Sequence, residues 1–299
     1  MGKVLDCDGI SPKAVKALED LDHTVDVKSD LPKDELPGII NDYDAMVVRS
    51  ATKVREPFID KMETIKVIVR AGVGIDNIDH EYARKNGIPV RNTPAASSDS
   101  VAELALAHIF ALYRFIPQAN ITMRKGEWNK KKYKGREVNG KKLGIIGIGR
   151  IGRSLAKKAI ALGMEVLAVD PYVKTCDIDG VCMSDMDKVL AAADIISLHV
   201  PSGKKPLIGK DEFGKMKKSA ILINCARGGV VDEDALCDAL DNDEISAAAI
   251  DVYVEEPTKN ERLVNHPKVS VTPHIGASTK EAQDRVGEEV VSVLQEYIG

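Results

Sequence analysis

The stretch that decides the fold, residues 142–170, reads KLGIIGIGRIGRSLAKKAIALGMEVLAVD. Its first part, Leu143 to Ile146, is a short apolar run rich in β-branched residues, which predicts a buried strand. Residues 154–162 carry apolar side chains at helical spacing, and residues 166–169 form a second apolar run that ends in Asp170. The order strand, helix, strand predicts one unit of a parallel sheet.

Three glycines lie between the first strand and the helix, as Gly147, Gly149 and Gly152 of a complete G-x-G-x-x-G. In a dinucleotide-binding loop the first glycine makes the tight turn and the second lets the backbone approach a pyrophosphate. The third packs the helix on the strand, and the helix N-terminus faces the phosphate charge. Because all the elements fall in order, the stretch predicts dinucleotide binding rather than a structural turn.

Asp170 lies 18 residues after Gly152, where an acid binds the hydroxyls of the adenosine ribose. A carboxylate at this place would repel the 2′-phosphate of NADP. The sequence therefore predicts NAD as the cofactor.

The composition is that of an ordinary globular protein, with 44% hydrophobic and 29% charged residues among 299. This length allows two domains with substantial cores. A net charge of −4 gives no reason to expect nucleic acid or a membrane as a partner. No signal-peptide pattern, C-x-x-C pair or metal motif is present, so we expect a cytoplasmic protein with free thiols and no metal.

Strand and helix signals also alternate over the first ninety or so residues, which predicts a parallel sheet with helices on both faces. The expected strands are Val4 to Cys7, Thr24 to Val27, Ala45 to Val48, Val67 to Val69 and Ile88 to Val90. Ser11 and Pro12 predict the start of the first helix. With the glycine-rich unit opening a second parallel sheet, the fold class is α/β with two doubly wound sheets.

Two loops follow strands of the first sheet, where ligands gather in parallel sheets. One contains Arg49 and Ser50, and the other runs from Arg70 through Gly72, Val73 and Gly74. The glycines of the second loop either free backbone N–H groups to cradle an anion or merely make a tight turn; the spacing does not decide between these.

Residues 93–100 form a small, polar linker before a strongly helical stretch, Val101 to Tyr113. This combination predicts a crossing between domains that can act as a hinge. Further on, the only tryptophan, Trp128, stands in a lysine-rich segment that is too short to indicate nucleic acid binding and reads as a basic loop.

Four predicted strands of the second sheet end in polar or charged residues. The strands are Ile195 to Val200, Ala220 to Ile223, Ala247 to Ile250 and Val269 to Thr272. The residues that follow them include Arg227, Asp251, Glu256 and His274. Because the carboxyl ends of parallel strands meet at one edge, these groups are expected beside the nucleotide.

Oxidation of an alcohol carbon needs a group that takes the hydroxyl proton and a cation that holds the substrate. His274 oriented by Glu256 would serve as the base, and Arg227 would bind a carboxylate in a bidentate manner. Asp251 could accept from the nicotinamide carboxamide. Taken singly, each has an ordinary structural alternative: an ion pair for Arg227, a turn for Glu256 and a satisfied core position for His274.

Several segments resemble the D-isomer-specific 2-hydroxyacid dehydrogenase family, and in particular its branch acting on 3-phospho-D-glycerate. The matching segments are Val48 to Lys53, Arg70 to Asn77, Gly126 to Trp128, Gly140 to Gly152, Asn224 to Gly229, Asp251 to Pro257 and Pro273 to Thr279. The resemblance implies oxidation of 3-phospho-D-glycerate to 3-phosphohydroxypyruvate with NAD, the first step of phosphorylated serine biosynthesis.

By this resemblance Arg227, Glu256 and His274 are the catalytic residues, and Arg227 and His274 also contact substrate. The implied cofactor contacts are Gly147, Gly149, Arg150, Ile151, Gly152, Asp170, His199, Val200, Pro201, Cys225, Asp251, His274 and Gly276. The implied substrate contacts in the first domain are Arg49, Ser50, Arg70, Gly72, Val73 and Gly74.

The resemblance also implies a Rossmann-type NAD domain, residues 96–278, inserted in a flavodoxin-like substrate domain, residues 1–95 completed by 279–299. It implies a homodimer in which the loop near Trp128 reaches toward the partner's active site. Related proteins place an arginine in that loop where this chain has Lys130, which keeps charge but loses the bidentate fork. Longer relatives sense serine through C-terminal domains. Because this sequence ends at Gly299, feedback by serine through such a domain is not expected.

Two alternatives remain. A glyoxylate or hydroxypyruvate reductase of the same family would share the Arg-Glu-His set, but the extra positive charge of Arg49, Lys53 and Arg70 favours a phosphorylated substrate. NAD-sensing corepressors also resemble these enzymes and are binding modules; a surface groove for short peptides would be their mark.

Overall fold

The computed structural model describes residues 2–299, which form two compact units. Among the described residues, unit 1 comprises residues 2–98 and 277–299, and unit 2 comprises residues 99–276. Each unit is built on one all-parallel sheet with helices, so the predicted fold class is confirmed.

Unit 1 contains a five-stranded sheet in the order β2-β1-β3-β4-β5. Its strands are β1 (Lys3–Asp6), β2 (Thr24–Val27), β3 (Ala45–Val48), β4 (Val67–Arg70) and β5 (Val90–Asn92). Its first helices are α1 (Pro12–Glu19), α2 (Leu36–Ile39), α3 (Glu56–Ile59) and α4 (His80–Lys85). This is the flavodoxin-like order, whose ligand position lies where the strand order reverses, between β1 and β3.

Unit 2 contains a seven-stranded sheet in the order β12-β11-β10-β9-β6-β7-β8. The strands are β6 (Lys142–Ile146), β7 (Glu165–Val169), β8 (Val181–Met183), β9 (Ile195–Leu198), β10 (Ile221–Asn224), β11 (Ala247–Ile250) and β12 (Val269–Val271). The helices are α5 (Ser98–Tyr113), α6 (Ile116–Arg124), α7 (Arg150–Ala161), α8 (Met186–Ala192), α9 (Lys210–Lys215), α10 (Glu233–Asp241) and α11 (Glu261–Val264). The strand order reverses between β6 and β9, which makes the carboxyl ends of these strands the expected nucleotide position.

The last helix, α12 (Lys280–Ile298), belongs to unit 1. It buries Val286, Val290 and Leu294 on the side of the sheet opposite the cluster around Leu36 and Met46. Burial at this helical spacing fixes α12 as a packed element of unit 1.

The predicted helix start at Ser11 is confirmed, because the Ser11 hydroxyl accepts from the Ala14 N–H with Pro12 in the first turn. The strand predicted at Ile88 to Val90 is wrong and lies instead at Val90–Asn92. The Ile88 N–H donates to the Ala83 carbonyl at the end of α4, and Pro89 has no N–H to donate. The helix predicted from residue 154 begins at Arg150, since Gly152 hides the first turn in the sequence.

No single helix among residues 2–299 is both long and apolar enough to cross a membrane. Helices α5 and α6, which meet at a 61° bend, would reach the required length and apolar content only when counted together.

Candidate active site

The glycine-rich loop has the conformation that its three glycines predict. Gly147 has φ 96°, and a Cβ there would collide with the carbonyl of His199 on the neighbouring strand end. A Cβ on Gly152 would collide with the Gly147 carbonyl, so helix α7 lies against the turn only when residue 152 has no side chain. The first and third glycines are therefore required by the fold itself.

Gly149 differs, because a Cβ there would meet no atom within 4 Å. It precedes the first turn of α7, which contains Arg150 and Ile151, and its own residue type supplies no side-chain cap. The first-turn N–H groups have no partner within the helix and point outward from its N-terminus. Open space at Gly149, directly before N–H groups without a side-chain cap, fits the pyrophosphate of a dinucleotide.

Asp170 follows β7 at the same edge of the sheet. One carboxylate oxygen accepts from the Ile148 N–H at 3.0 Å, and the other accepts from the Tyr172 N–H at 2.9 Å. These bonds fix the carboxylate beside the glycine loop, and each oxygen keeps a lone pair for a ribose hydroxyl. The residues present thus fit the adenosine half of NAD.

His274 and Glu256 form a hydrogen-bonded pair, with 2.7 Å between His274 Nδ1 and Glu256 Oε2. The other oxygen of Glu256 accepts from the Tyr253 N–H at 3.1 Å, which fixes the carboxylate. Both side chains remain more than a third exposed, so a substrate can reach the ring. A carboxylate can only accept a hydrogen bond, so Nδ1 of His274 carries the hydrogen and donates it to Glu256. Nε2 then has the free lone pair that takes a proton.

The backbone of His274 is in the left-handed region, at φ 52°. This conformation costs a non-glycine residue ~1 kcal/mol and is found where surrounding bonds enforce it. Here Asp251, fully buried, accepts from the N–H groups of both Ile275 and Gly276 at 2.9 Å. Asp251 therefore holds the turn that carries the imidazole.

Arg227 lies in the loop after β10, next to the strand that carries Asp251. Asn224, nearly fully buried, accepts from the Ala226 N–H and donates to the Arg227 carbonyl, both at 3.1 Å. A Cβ on Gly228 would overlap the Tyr253 carbonyl, so this loop packs directly on the backbone that precedes Glu256. The arginine loop and the Glu256 loop are thus fixed to each other within unit 2.

The remaining predicted cofactor contacts of unit 2 follow β9 and β10. Val200 and Pro201 come directly after His199, whose carbonyl lies over Gly147. Burial raises the pKa of the Cys225 thiol, so this side chain stays neutral and offers an apolar wall rather than a nucleophile. Burial lowers the pKa of His199 to about 4, and its Nε2 lies 2.9 Å from the Ser197 hydroxyl.

In unit 1 the loop of Arg49 and Ser50 is held from both sides. Asp8 accepts from the Arg49 N–H at 2.6 Å and from the Thr52 hydroxyl at 2.7 Å. Asn77 donates to the carbonyls of Arg49 and Thr52, both at 2.7 Å. These bonds use only the backbone of Arg49, so its side chain takes no part in fixing the loop.

The second loop of unit 1 contains Arg70, Gly72, Val73 and Gly74. Gly72 has φ 147°, and a Cβ there would lie on the Arg70 guanidinium. Asn92 donates to the Val73 carbonyl at 2.5 Å. Gly72 thus allows the backbone to pass directly beneath a cationic side chain, whether or not its N–H groups bind an anion.

A mostly apolar cavity of about 440 Å³ borders the His274–Glu256 pair within unit 2. Its walls include Tyr253, Pro257, Val264 and Val271. Burial and the nearby Asp251 raise the pKa of Tyr253 to about 12, so its hydroxyl stays protonated and donates to the Thr272 carbonyl at 2.9 Å. The cavity therefore has one rigid aromatic wall beside the imidazole.

Sequence reasoning missed several residues that organise these loops. Asp8 and His108 carry no motif, and Asn77 lies at the end of a matching segment without an assigned role. The partners of all three are distant in the chain. A histidine within an apolar helix, such as His108 in α5, is more often a satisfied core residue than a functional one. Only the folded structure could identify these contacts.

Comparison with known proteins gives the family. Residues 106–276 match the model of the D-isomer specific 2-hydroxyacid dehydrogenase NAD-binding domain, which confirms the predicted cofactor. A D-3-phosphoglycerate dehydrogenase of Methanocaldococcus jannaschii is 46% identical over the whole chain, which spans 58% of that relative's length. A hydroxypyruvate reductase of Thermotoga maritima is 42% identical over 98% of this chain and 97% of its own length.

Among solved structures, the D-lactate dehydrogenase of Aquifex aeolicus complexed with NAD and lactic acid is 31% identical. It covers 99% of this chain and 95% of its own, with a TM-score of 0.84. Sequence and structure agree over nearly all of the chain, and the predicted family is confirmed. The chain belongs to the D-isomer specific 2-hydroxyacid dehydrogenase family.

Proposed function

We propose that this protein oxidises 3-phospho-D-glycerate to 3-phosphohydroxypyruvate with NAD and catalyses the reverse reaction. The observation that carries the reaction type is the 2.7 Å pair of His274 and Glu256 on the loops next to that of Arg227. The M. jannaschii relative named D-3-phosphoglycerate dehydrogenase supports the substrate, although the chain spans little more than half of that relative.

The residues act as follows. Arg227 holds the substrate carboxylate and orients the 2-hydroxyl. His274 Nε2 takes the hydroxyl proton, and Glu256 stabilises the imidazolium that forms, through Nδ1–H. NAD, when bound, supplies the hydride acceptor. In the reverse direction His274 returns the proton to the substrate oxygen.

The substrate phosphate is assigned to the cationic side chains of unit 1, Arg49 and Arg70, with the backbone of Ser50, Gly72, Val73 and Gly74 as further contacts. Arg49 gives the better test of this assignment, because the bonds that fix its loop involve only its backbone. Replacement of its side chain leaves those bonds in place. Lysines 130–132 add charge in unit 2 without the bidentate geometry of arginine.

Arg49→Met should lower kcat/KM for phosphohydroxypyruvate by about 10- to 100-fold, as expected for loss of a charge-assisted bond. The loss on unphosphorylated hydroxypyruvate should be much smaller. Lys61→Met, which removes an exposed charge from the turn after α3, is the matched control. Equal losses on both substrates would contradict the phosphate assignment.

A second candidate is hydroxypyruvate reductase. It is favoured by the T. maritima enzyme of that name, because the match covers 97% of that enzyme's own length. The match to the M. jannaschii relative covers only 58% of that relative's length. This function would keep Arg227, Glu256 and His274 in the same roles and leave Arg49 and Arg70 without a phosphate to bind.

The domain roles belong to the same proposal. Unit 2 serves as the NAD-binding domain and unit 1 as the substrate-binding domain, with the crossings near residues 98 and 277. The five cysteines are free, which is consistent with a cytoplasmic protein.

The protein is also proposed to be a homodimer through the surface of α6 and the loop after it. Helix α6 buries none of its residues, yet Ile116, Ile121 and Met123 are apolar and exposed. Trp128 is 78% exposed. An exposed apolar set of this kind marks an interface, and the cavity beside His274 would receive Trp128 of the partner subunit.

Sedimentation of the wild-type protein at micromolar concentration should give twice the chain mass. Ile121→Asp should give the mass of one chain. Trp128→Ala should lower turnover but should still sediment with twice the chain mass. A monomeric wild-type protein with full activity would contradict this arrangement.

A further inference from the structure

A continuous chain of hydrogen bonds connects helix α5 with the turn that carries His274. His108 Nδ1 lies 3.2 Å from the Ser270 hydroxyl, and its Nε2 lies 3.1 Å from the Thr272 hydroxyl. Thr272 donates to Asp251 at 2.6 Å. Asp251 in turn accepts from the N–H groups of Ile275 and Gly276.

The direction of these bonds fixes the histidine tautomer. The single hydroxyl proton of Thr272 is used at Asp251, so Thr272 can only accept from His108, whose Nε2 must carry the hydrogen. Burial lowers the pKa of His108, although the charge of Asp251 opposes this, and the ring is neutral. Its Nδ1 is then an acceptor, and Ser270 donates to it.

The geometry follows from the local structure. Ser270 lies in the edge strand β12, and Thr272 directly follows the strand, with its N–H still bonded to the Ile250 carbonyl of β11. The two residues are two positions apart in extended chain and so point to the same side of the sheet. His108 is 4% exposed in α5, and its ring lies between the two hydroxyls. The ring thus joins α5 to the point where β12 leads into Pro273 and His274.

We propose that His108 is a positioning residue for the catalytic turn, acting through Thr272 and Asp251 on the backbone of residues 274–276. The proposal rests on the proposed function only in taking His274 as the acid–base group. Its action is indirect, because its two ring nitrogens bond to Ser270 and Thr272 and not to the imidazole of His274.

The physical reason is that Asp251 is buried and must hold three donors in fixed directions. Two of them are consecutive N–H groups of a turn whose first residue, His274, has a strained backbone. Removing the donor to Thr272 frees its hydroxyl to rotate away from Asp251, and the carboxylate can then turn toward other partners. A tilt of the turn misplaces His274 Nε2, and small misplacements of a reacting group reduce turnover strongly.

The test compares His108→Leu, which removes both ring nitrogens, with His108→Gln, which keeps an N–H donor at similar reach. Thr272→Val and Thr272→Ser form the second pair, since only serine keeps the hydroxyl. Ile109→Val is the control for a generic loss of packing, because Ile109 is fully buried in the same helix. For each protein kcat, the Kd for NADH and Tm are measured.

We expect kcat to fall about tenfold in His108→Leu and Thr272→Val, with the Kd for NADH within twofold of wild type. His108→Gln and Thr272→Ser should recover most of the loss at equal Tm. The double variant His108→Leu/Thr272→Val should be no slower than Thr272→Val alone, because both changes break one chain of bonds.

Equal kcat values for His108→Leu and His108→Gln would overturn the proposal. So would a loss of kcat in the double variant that equals the product of the two single-variant losses. A separate readout does not depend on turnover: ¹⁵N chemical shifts of the His108 ring should show a protonated Nε2 and a bare Nδ1. A protein that shows this tautomer but turns over no 2-hydroxy acid would contradict the proposed function and leave the hydrogen-bond chain standing. The opposite tautomer would overturn the chain itself.

Discussion

His274 Nδ1 lies 2.7 Å from Glu256 Oε2. The backbone of His274 has φ 52°, and the two N–H groups that follow it are bonded to Asp251. The pair brings together side chains that are 18 residues apart in sequence and follow two neighbouring strands, β11 and β12. Because both oxygens of Glu256 are engaged, the carboxylate is fixed in place. A carboxylate that accepts from Nδ1–H leaves Nε2 of the ring available as the base.

The first prediction concerns this pair. His274→Ala should lower kcat by about 10²- to 10⁴-fold, the range of a lost general base, while the Kd for NADH stays within a few fold. Glu256→Gln should cost less, since it leaves the base in place but weakens its orientation. Steady-state kinetics with fluorescence titration of NADH checks both, and normal turnover in His274→Ala would remove the acid–base role.

The glycine loop gives a paired prediction. Gly149→Ala should fold with a Tm close to wild type, because its φ is −71° and the added Cβ meets nothing, but should bind NADH at least tenfold more weakly. Gly152→Ala should lower Tm, because its Cβ would strike the Gly147 carbonyl. Calorimetry and NADH titration separate the two; unaltered NADH binding in Gly149→Ala would place the pyrophosphate elsewhere.

Asp170 should determine the cofactor. Asp170→Ala should raise the KM for NAD by about tenfold and narrow the preference for NAD over NADP, because both the ribose acceptor and the repulsive charge are lost. The ratio of kcat/KM for the two cofactors is the measurement. An unchanged ratio would mean that another residue reads the ribose.

The burial of His199 predicts that the free energy of unfolding depends on pH. Its pKa is lowered by burial to about 4 in the folded chain, whereas an unfolded histidine titrates near 6.5. The unfolded state therefore binds the extra proton first as pH falls. The contribution of His199 is fully present above about pH 6.5 and is lost progressively toward pH 4, by at most about 3 kcal/mol.

Urea unfolding of wild type and His199→Gln between pH 4 and pH 7 checks this. The free energy of unfolding of the variant should depend less on pH across that window. Parallel curves for the two proteins would show that His199 is not held neutral in the folded chain.

Much of the fold could be predicted because parallel strands buried on both faces read as short β-branched runs. Strand β8 escaped, since Val181–Met183 is only three residues long, partly exposed and contains one β-branched residue. The strand predicted at Ile88 was displaced by the end of α4 and Pro89, a competition between neighbouring elements that a run of apolar residues does not reveal.

The candidate site divides in the same way. The glycine loop and the segments around Arg227, Glu256 and His274 are local patterns and could be found by reading along the chain. The residues that hold them in place could not, because Asp8 and His108 act through partners more than 40 and 160 residues away. Such contacts depend on which strands and helices become neighbours after folding.

The most direct test of the central claim is the ratio of kcat/KM for phosphohydroxypyruvate to that for hydroxypyruvate, followed by NADH absorbance with the wild-type protein. A phosphate held by an arginine makes charge-assisted bonds that the unphosphorylated acid lacks, which predicts a ratio of about 100 or more. A ratio at or below one would contradict the phosphoglycerate assignment and move the function to a hydroxypyruvate reductase with the same catalytic residues.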